Sequence, residues 1–256
     1  MLLALDAGNT NITIGVFEAG ELKHKWRLRT VHQQTEDEWG ILLHNLFQYE
    51  GLELEKIHGV IISSVVPPLN PTLSAMTKRY FRHEALFVTH EIDTGLKILY
   101  DNPREVGADR VVNSVAALAK YCGPCVVVDL GTAITFDAVS VNAEYLGGII
   151  CAGIGISIDA LFSRTAQLPK VEFRAPLKLI GTNTAGSIQA GLFYGSIGMI
   201  DGILERLIGQ LGEDTRTVAT GGQAPLITSG SRFLKKVDED LTLEGLEIIW
   251  RRVQRT

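Results

Sequence analysis

The sequence predicts an α/β protein made of two duplicated halves with a cleft between them. Three observations lead there. Strand-like and helix-like segments of the first half follow the order βββαβαβ. A distinctive segment, LLALDAGNTNITIGVF at residues 2–17, is echoed by VVVDLGTAITFDAVS at residues 126–140, and Asp129 follows Asp6 by 123 residues in a chain of 256. A repeat of that size duplicates a whole domain, because solenoid periods are shorter. Finally, 46% hydrophobic against 21% charged residues is enough apolar material for two cores and excludes a disordered chain. The halves are expected at residues 1–115 and 116–256.

Each element has a local reason. Residues 2–30 read as three short strands, with Glu18-Ala19-Gly20-Glu21 as the second connection. Trp39, Leu42, Leu43, Leu46 and Phe47 recur at helical spacing and predict a helix over Gln34–Tyr49. Gly59–Val66 is a β-branched strand stopped by Pro67-Pro68; a helix around Pro71–Phe81 and a strand at Ala85–Val88 follow. A long helix is expected to start at Pro103, with Asn102 as its cap and Glu105 three residues later, and to run to about Tyr121. After the echoed segment come a bend rich in glycine (Gly147, Gly148, Gly153, Gly155) and a helix near Ile156–Ala166. A helix of small residues from about Thr184 to Gln210, a strand Thr215–Thr220 ending at Gly221-Gly222, and a helix Leu243–Gln254 complete the chain.

Composition narrows the function. A net charge of -5 and the lack of a long Lys/Arg run argue against a nucleic-acid surface. Asp6 interrupts the first apolar stretch before a signal peptide can form, and neither Leu146–Ile158 nor Ala185–Ile200 suits a bilayer, so a cytoplasmic protein without a membrane partner is expected. Three cysteines imply reduced thiols. Cys122-Gly123-Pro124-Cys125 spells a redox motif, but it follows a helix and precedes a strand, the reverse of the redox context. A turn holding two small buried residues is expected instead.

The chemistry concentrates at the echoed turns. One strand-ending Asp-x-Gly is ordinary turn chemistry. Two of them facing a cleft would bring two carboxylates and two sets of backbone N–H groups to one ligand. Glycine lets the backbone approach closely, and Asn9, Thr10, Asn11 and Thr13 add neutral groups that suit phosphate oxygens. A carboxylate does the complementary job of holding a cation against those phosphates. A second constellation, Gly107-Ala108-Asp109-Arg110, lies in an apolar setting inside the expected helix. A helical glycine costs roughly 1 kcal/mol relative to alanine, so Gly107 points to a close neighbour. Along Ala185–Gly198, Gly191 and Gly195 give a face for close helix packing, either within the core or between subunits.

The combination of DAGNTN (6–11), NPREVGADRVVN (102–113), DLGTAITFD (129–137) and GTNTAGSIQAGLFYG (181–195) resembles the type III pantothenate kinases, within the acetate kinase, hexokinase and actin superfamily. The resemblance implies two ribonuclease-H-like halves and transfer of the γ-phosphoryl of ATP to pantothenate, giving 4′-phosphopantothenate for coenzyme A synthesis. It implies that Asp109 is the base for the pantothenate hydroxyl, and that Tyr100, Gly107, Ala108, Arg110 and Thr184 hold this substrate. Asp6, Gly8, Asn9, Thr10, Asn11, Thr13, Thr132 and Gly221 would serve ATP, with Asp6 near Mg²⁺. Asp129 would bind a monovalent cation, K⁺ or NH₄⁺. Gly221-Gly222 reads equally well as an adenosine-side turn or as a plain strand end. A homodimer is implied. One departure is Ala152, where the family has proline before Gly153. The rival readings are another small-molecule kinase or phosphatase of the superfamily, and a non-catalytic regulatory member of the same family.

Overall fold

The computed structural model describes residues 1–255. It holds two five-stranded mixed sheets. In the first, β1 (Leu2–Ala7), β2 (Asn11–Glu18) and β3 (Glu21–Arg29) form an antiparallel meander, and β4 (Gly59–Ser64) and β5 (Ala85–Phe87) run parallel to β1, in the order β3-β2-β1-β4-β5. In the second, β6 (Lys97–Ile98), β7 (Cys125–Leu130), β8 (Ala133–Val139), β9 (Glu144–Ala152) and β10 (Arg216–Thr220) take the order β10-β7-β8-β9-β6. Here β7-β8-β9 is the antiparallel meander and β10 runs parallel to β7, so four strands repeat the pairing of β1 to β4. Both meanders carry a bulge near the end of the middle strand, at Val16/Phe17 and at Ala138/Val139. The fifth strand differs: β5 extends the β4 edge, whereas β6 pairs with β9.

The helices are α1 (Glu36–Tyr49), α2 (Asn70–Met76), α3 (Ala108–Tyr121), α4 (Ile154–Arg164), α5 (Thr184–Leu211), α6 (Ala224–Thr228) and α7 (Leu241–Val253). The start of α1 is set by a capping box: the Glu38 backbone N–H donates to the Thr35 hydroxyl, and the Thr35 N–H donates to the Glu38 carboxylate. Its apolar stripe then buries Trp39, Leu43 and Phe47 on one face of the first sheet, against Leu3, Leu5, Ile12, Ile14, Val60 and Ile62. Fully burying side chains of this kind contributes about 1.5–3 kcal/mol each. The other face is close-packed with α7, which in turn packs against α3. A Cβ at Gly59 would stand 2.1 Å from the Trp250 ring, and one at Gly245 would stand 2.3 Å from the Val112 carbonyl oxygen. The second core joins Val126, Val128, Ile134 and Phe136 to Ile158 of α4, Phe193 and Ile197 of α5, and Ile227 of α6.

The contacts divide the chain into two compact units. Among the described residues one comprises 1–96, 101–116 and 242–255; the other comprises 97–100 and 117–241. The last helix therefore closes the first unit.

Several elements differ from expectation, each for a local reason. Pro103–Glu105 is a 3-10 turn capped by the Asn102 side chain, which accepts from the Arg104 N–H; α3 begins only at Ala108. Gly107 thus precedes the helix rather than sitting inside it. The expected glycine bend contains strand β9, in which Gly147 adopts a φ of +115°, a left-handed value that costs glycine nothing. Only one of the two cysteines flanking Gly123-Pro124 is buried. Cys122 is exposed at a φ of +51°, because the turn projects it outward, while Cys125 lies at the start of β7.

Candidate active site

The two Asp-x-Gly turns occupy equivalent places. Asp6 is the fifth residue of β1 and Asp129 the fifth of β7, so both lie at the C-terminal ends of strands with a parallel neighbour. Strand ends of this kind are where open α/β sheets present ligands. In the first unit, Asp6 pairs in register with Thr13 on one side and Ser63 on the other. In the second, Asp129 pairs with Thr135 and Thr220. Each sheet therefore carries a hydroxyl–carboxylate–hydroxyl row on one face. Thr13 was expected from the sequence; Ser63, Thr135 and Thr220 were not, because their partnership with the aspartates exists only through strand pairing. Ser63 is fully buried and its hydroxyl has no hydrogen-bond partner among the described residues.

Beyond Asp6 the chain turns tightly. The Gly8 N–H donates to the Asn11 carbonyl at 3.0 Å, and a Cβ on Gly8 would meet that oxygen at 3.1 Å. The Thr30 hydroxyl donates to the Gly8 carbonyl at 2.6 Å and the Thr30 N–H to the Thr10 carbonyl at 3.0 Å, so β3 braces the turn. Asn9 and Thr10 stay exposed at its tip.

In the same unit, Asp109 is the second residue of α3. Its Oδ1 accepts from the Arg110 N–H at 2.8 Å, and a Cβ on Gly107 would stand 2.6 Å from that oxygen. The same Cβ would lie 3.4 Å from Val65, which places the end of β4 beside the start of α3. Gly107 leaves room for the carboxylate, which is the close neighbour its presence implied. Burial pushes the Asp109 carboxyl above the ordinary carboxylate range, opposed by the Arg110 N–H and the Arg110 charge. Ala108 opens the helix, and Arg110 is buried.

In the second unit, the Asp129 carboxylate lies against glycine on both sides. A Cβ at Gly131 would stand 3.3 Å from Oδ1, and one at Gly221 would stand 2.6 Å from it. Gly221 also has a φ of +89°, so the β10 turn is suited to glycine twice over. Thr132 is exposed at the tip, and its carbonyl would be 2.0 Å from a Cβ on Gly153. That close approach requires glycine at 153, and Ala152 ends β9, paired with Ala133. Tyr100 packs over Gly147, 3.6 Å from where its Cβ would be, and lies near Tyr145, with ring centroids 6.3 Å apart. Thr184 is exposed at the first residue of α5.

A cavity of about 510 Å³ lies elsewhere, at the N-terminal ends of β7 and β10, lined by Lys120, Tyr121, Arg216, Lys235 and Lys236. It contains none of the candidate residues. Among the described residues no three carboxylate, imidazole or thiol groups gather to hold a metal. Asp6 and Asp129 each offer a single carboxylate, a donor set that fits a cation completed by phosphate oxygens, carbonyls or water rather than by a protein cage. The Cys125 thiol is pushed up to about 12 by burial, which makes it a poor nucleophile and supports the structural reading of the cysteine pair.

The family model described as type III pantothenate kinase matches residues 2–206. The chain is 65% identical over 252 residues to the type III pantothenate kinase of Solibacter usitatus (strain Ellin6076), covering 98% of this chain and 97% of that protein. It is 54% identical over 264 residues to that of Koribacter versatilis (strain Ellin345), covering 99% and 96%. Among solved structures, a ROK family glucokinase from Streptomyces griseus, in complex with glucose and AMPPNP, superposes with a TM-score of 0.58 over 100% of this chain and 99% of its own at 10% identity, a likeness of fold.

Proposed function

The chain belongs to the type III pantothenate kinase family and phosphorylates pantothenate, a step of coenzyme A biosynthesis, and from that premise we propose which residues perform the transfer. Asp109 is the base. The observation that carries this assignment is its carboxylate, buried at the start of α3, given room by Gly107 and raised in pKa by desolvation. A carboxylate so placed accepts the proton of the pantothenate primary hydroxyl as that oxygen bonds to the γ-phosphorus of ATP and the bond to the β–γ bridging oxygen breaks. Such transfer is loose and proton removal late, so orientation of the hydroxyl outweighs basicity. Arg110 offers a planar fork for the pantothenate carboxylate, and Tyr100, Gly107, Ala108 and Thr184 complete the substrate's contacts.

ATP is held by Asp6, Gly8, Asn9, Thr10, Asn11 and Thr13 from the first turn and by Thr132 and Gly221 from the second. When bound beside Asp6, Mg²⁺ supplies charge neutralisation of the phosphates. Asp129, pressed between Gly131 and Gly221, suits a large monovalent cation, K⁺ or NH₄⁺. The enzyme works in the cytoplasm, a reading supported by its three free cysteines and its use of ATP.

It works as a homodimer. Ile150 (63% exposed), Phe162 (50%), Ile180 (79%) and Tyr194 (43%) present apolar surface from β9, α4, the segment before α5 and α5 itself. A Cβ added at Gly191, Gly195 or Gly198 would meet nothing, leaving a smooth helix face for close approach.

The decisive experiment is an ATP-dependent phosphorylation assay across pantothenate, pantetheine and several sugars, with K⁺ present or replaced by Na⁺. Phosphorylation confined to pantothenate and dependent on K⁺ is expected. Equal turnover in Na⁺ removes the cation role of Asp129, and a preference for a sugar removes the substrate assignment.

A further inference from the structure

The second sheet buries a carboxylate that the transfer itself does not use. Asp137 of β8 is 0% exposed and lies on the same face as Thr135, two residues earlier. A buried carboxylate is stable only when its oxygens are engaged. Here each oxygen takes a different hydroxyl: Tyr145 donates to Oδ1 at 2.8 Å and Thr135 to Oδ2 at 3.2 Å. Tyr145 is itself fully buried.

Both partners lead to candidate site residues. Tyr145 touches the Tyr100 segment twice: its ring lies 6.3 Å from the Tyr100 ring at 50°, and its carbonyl accepts from the Leu99 N–H at 2.9 Å. β6 is only two residues long, so Tyr100 has little sheet of its own to hold it and depends on β9 for its place. Thr135, in turn, is the register partner of Asp129.

We propose that Asp137 is a positioning residue for pantothenate binding, acting through Tyr145 on Tyr100. This rests on the reading that Tyr100 contacts pantothenate. With both hydroxyls on Asp137, Tyr145 has one orientation, and Tyr100 is pre-set against Gly147 as one wall for the substrate. Loss of the Tyr145 hydroxyl frees the ring to shift. Displacements of an ångström in such supporting groups lower affinity without touching the chemical step.

The test is a double-mutant cycle on the purified enzyme, with KM, kcat and pantothenate affinity by calorimetry read for each variant. Tyr145→Phe is expected to raise KM for pantothenate about tenfold, with kcat and KM for ATP within about twofold. Tyr100→Ala is expected to raise it at least as much, and the double variant to match Tyr100→Ala alone, because the two act in series. Thr135→Val removes the other hydroxyl and serves if Tyr145→Phe folds poorly; its effect should be smaller and likewise absorbed by Tyr100→Ala. A raised KM in Tyr100→Ala with an unchanged KM in folded Tyr145→Phe or Thr135→Val overturns the positioning role alone, and so do effects that multiply independently. An unchanged KM in Tyr100→Ala overturns the assignment of Tyr100 and the proposal with it.

Discussion

Asp109 combines two demands that conflict. Its burial raises the pKa of the folded state above the unfolded value, so between those two values the native protein binds more protons than the unfolded chain. The linkage sign follows: stability falls as pH rises through that window, and at neutral pH the ionised, desolvated carboxylate is a net cost. Asp109→Asn keeps the shape and removes the charge. It is expected to raise the melting temperature at pH 7.5, and the gain should shrink as pH falls through the folded pKa. Turnover should fall about a thousandfold, with ATP binding nearly intact. Thermal melts from pH 4 to 8 with nucleotide titrations check both halves; near-wild-type kcat in the variant removes the base assignment. GADR stood out in the sequence as a constellation, but its local geometry did not. Gly107 is not an interior helix glycine, and its reason for being glycine is the Asp109 oxygen 2.6 Å from its missing Cβ, a contact that needs the 3-10 turn before it.

At the level of elements, the turns after β7 and β10 form one unit. Gly221→Ala places a methyl on Asp129 and in a left-handed conformation, and is expected to cost about 2 kcal/mol or more. Gly51→Ala is the control: its φ of +69° is also left-handed, but a Cβ there meets nothing, so only the conformational cost of about 1 kcal/mol remains. Chemical denaturation of both variants separates contact from conformation. Equal losses would mean that Asp129 yields easily and that the turn does not hold it. Helical periodicity placed α1 well, because its apolar stripe faces a sheet, and the expected helices over Thr184–Gln210 and Leu243–Gln254 correspond to α5 and α7 within two residues at each end. β9 was not foreseen, since its glycines look like a bend when read singly. The two-residue β6 carried no signal at all, because its strand state comes from pairing with β9.

For the whole molecule, the exposed apolar side chains of β9 and α4 set the expectation. Ile150→Asp together with Phe162→Asp changes residues that are 63% and 50% exposed, so folding of the protomer should be little affected. Light scattering should show a dimer for the wild type and a monomer for the double variant; an unchanged mass excludes this surface as the interface. Duplication was legible from two short echoes, and the sheets bear it out strand by strand from β1–β4 to β7–β10.

By itself the sequence determined what local chemistry can specify: an α/β chain, a repeated Asp-x-Gly turn with its small polar residues, and a family resemblance dense enough to imply pantothenate phosphorylation. Those features are written in neighbouring residues and in patterns that repeat along the chain. The tertiary structure alone decided the rest. It brought Ser63 beside Asp6 and Thr220 beside Asp129, returned the last helix to the first unit, and set the Tyr145 ring beside Tyr100 with its hydroxyl on the buried Asp137 carboxylate. Each of these depends on strand register and side-chain packing between distant segments, and no periodicity or motif records which distant segments will meet.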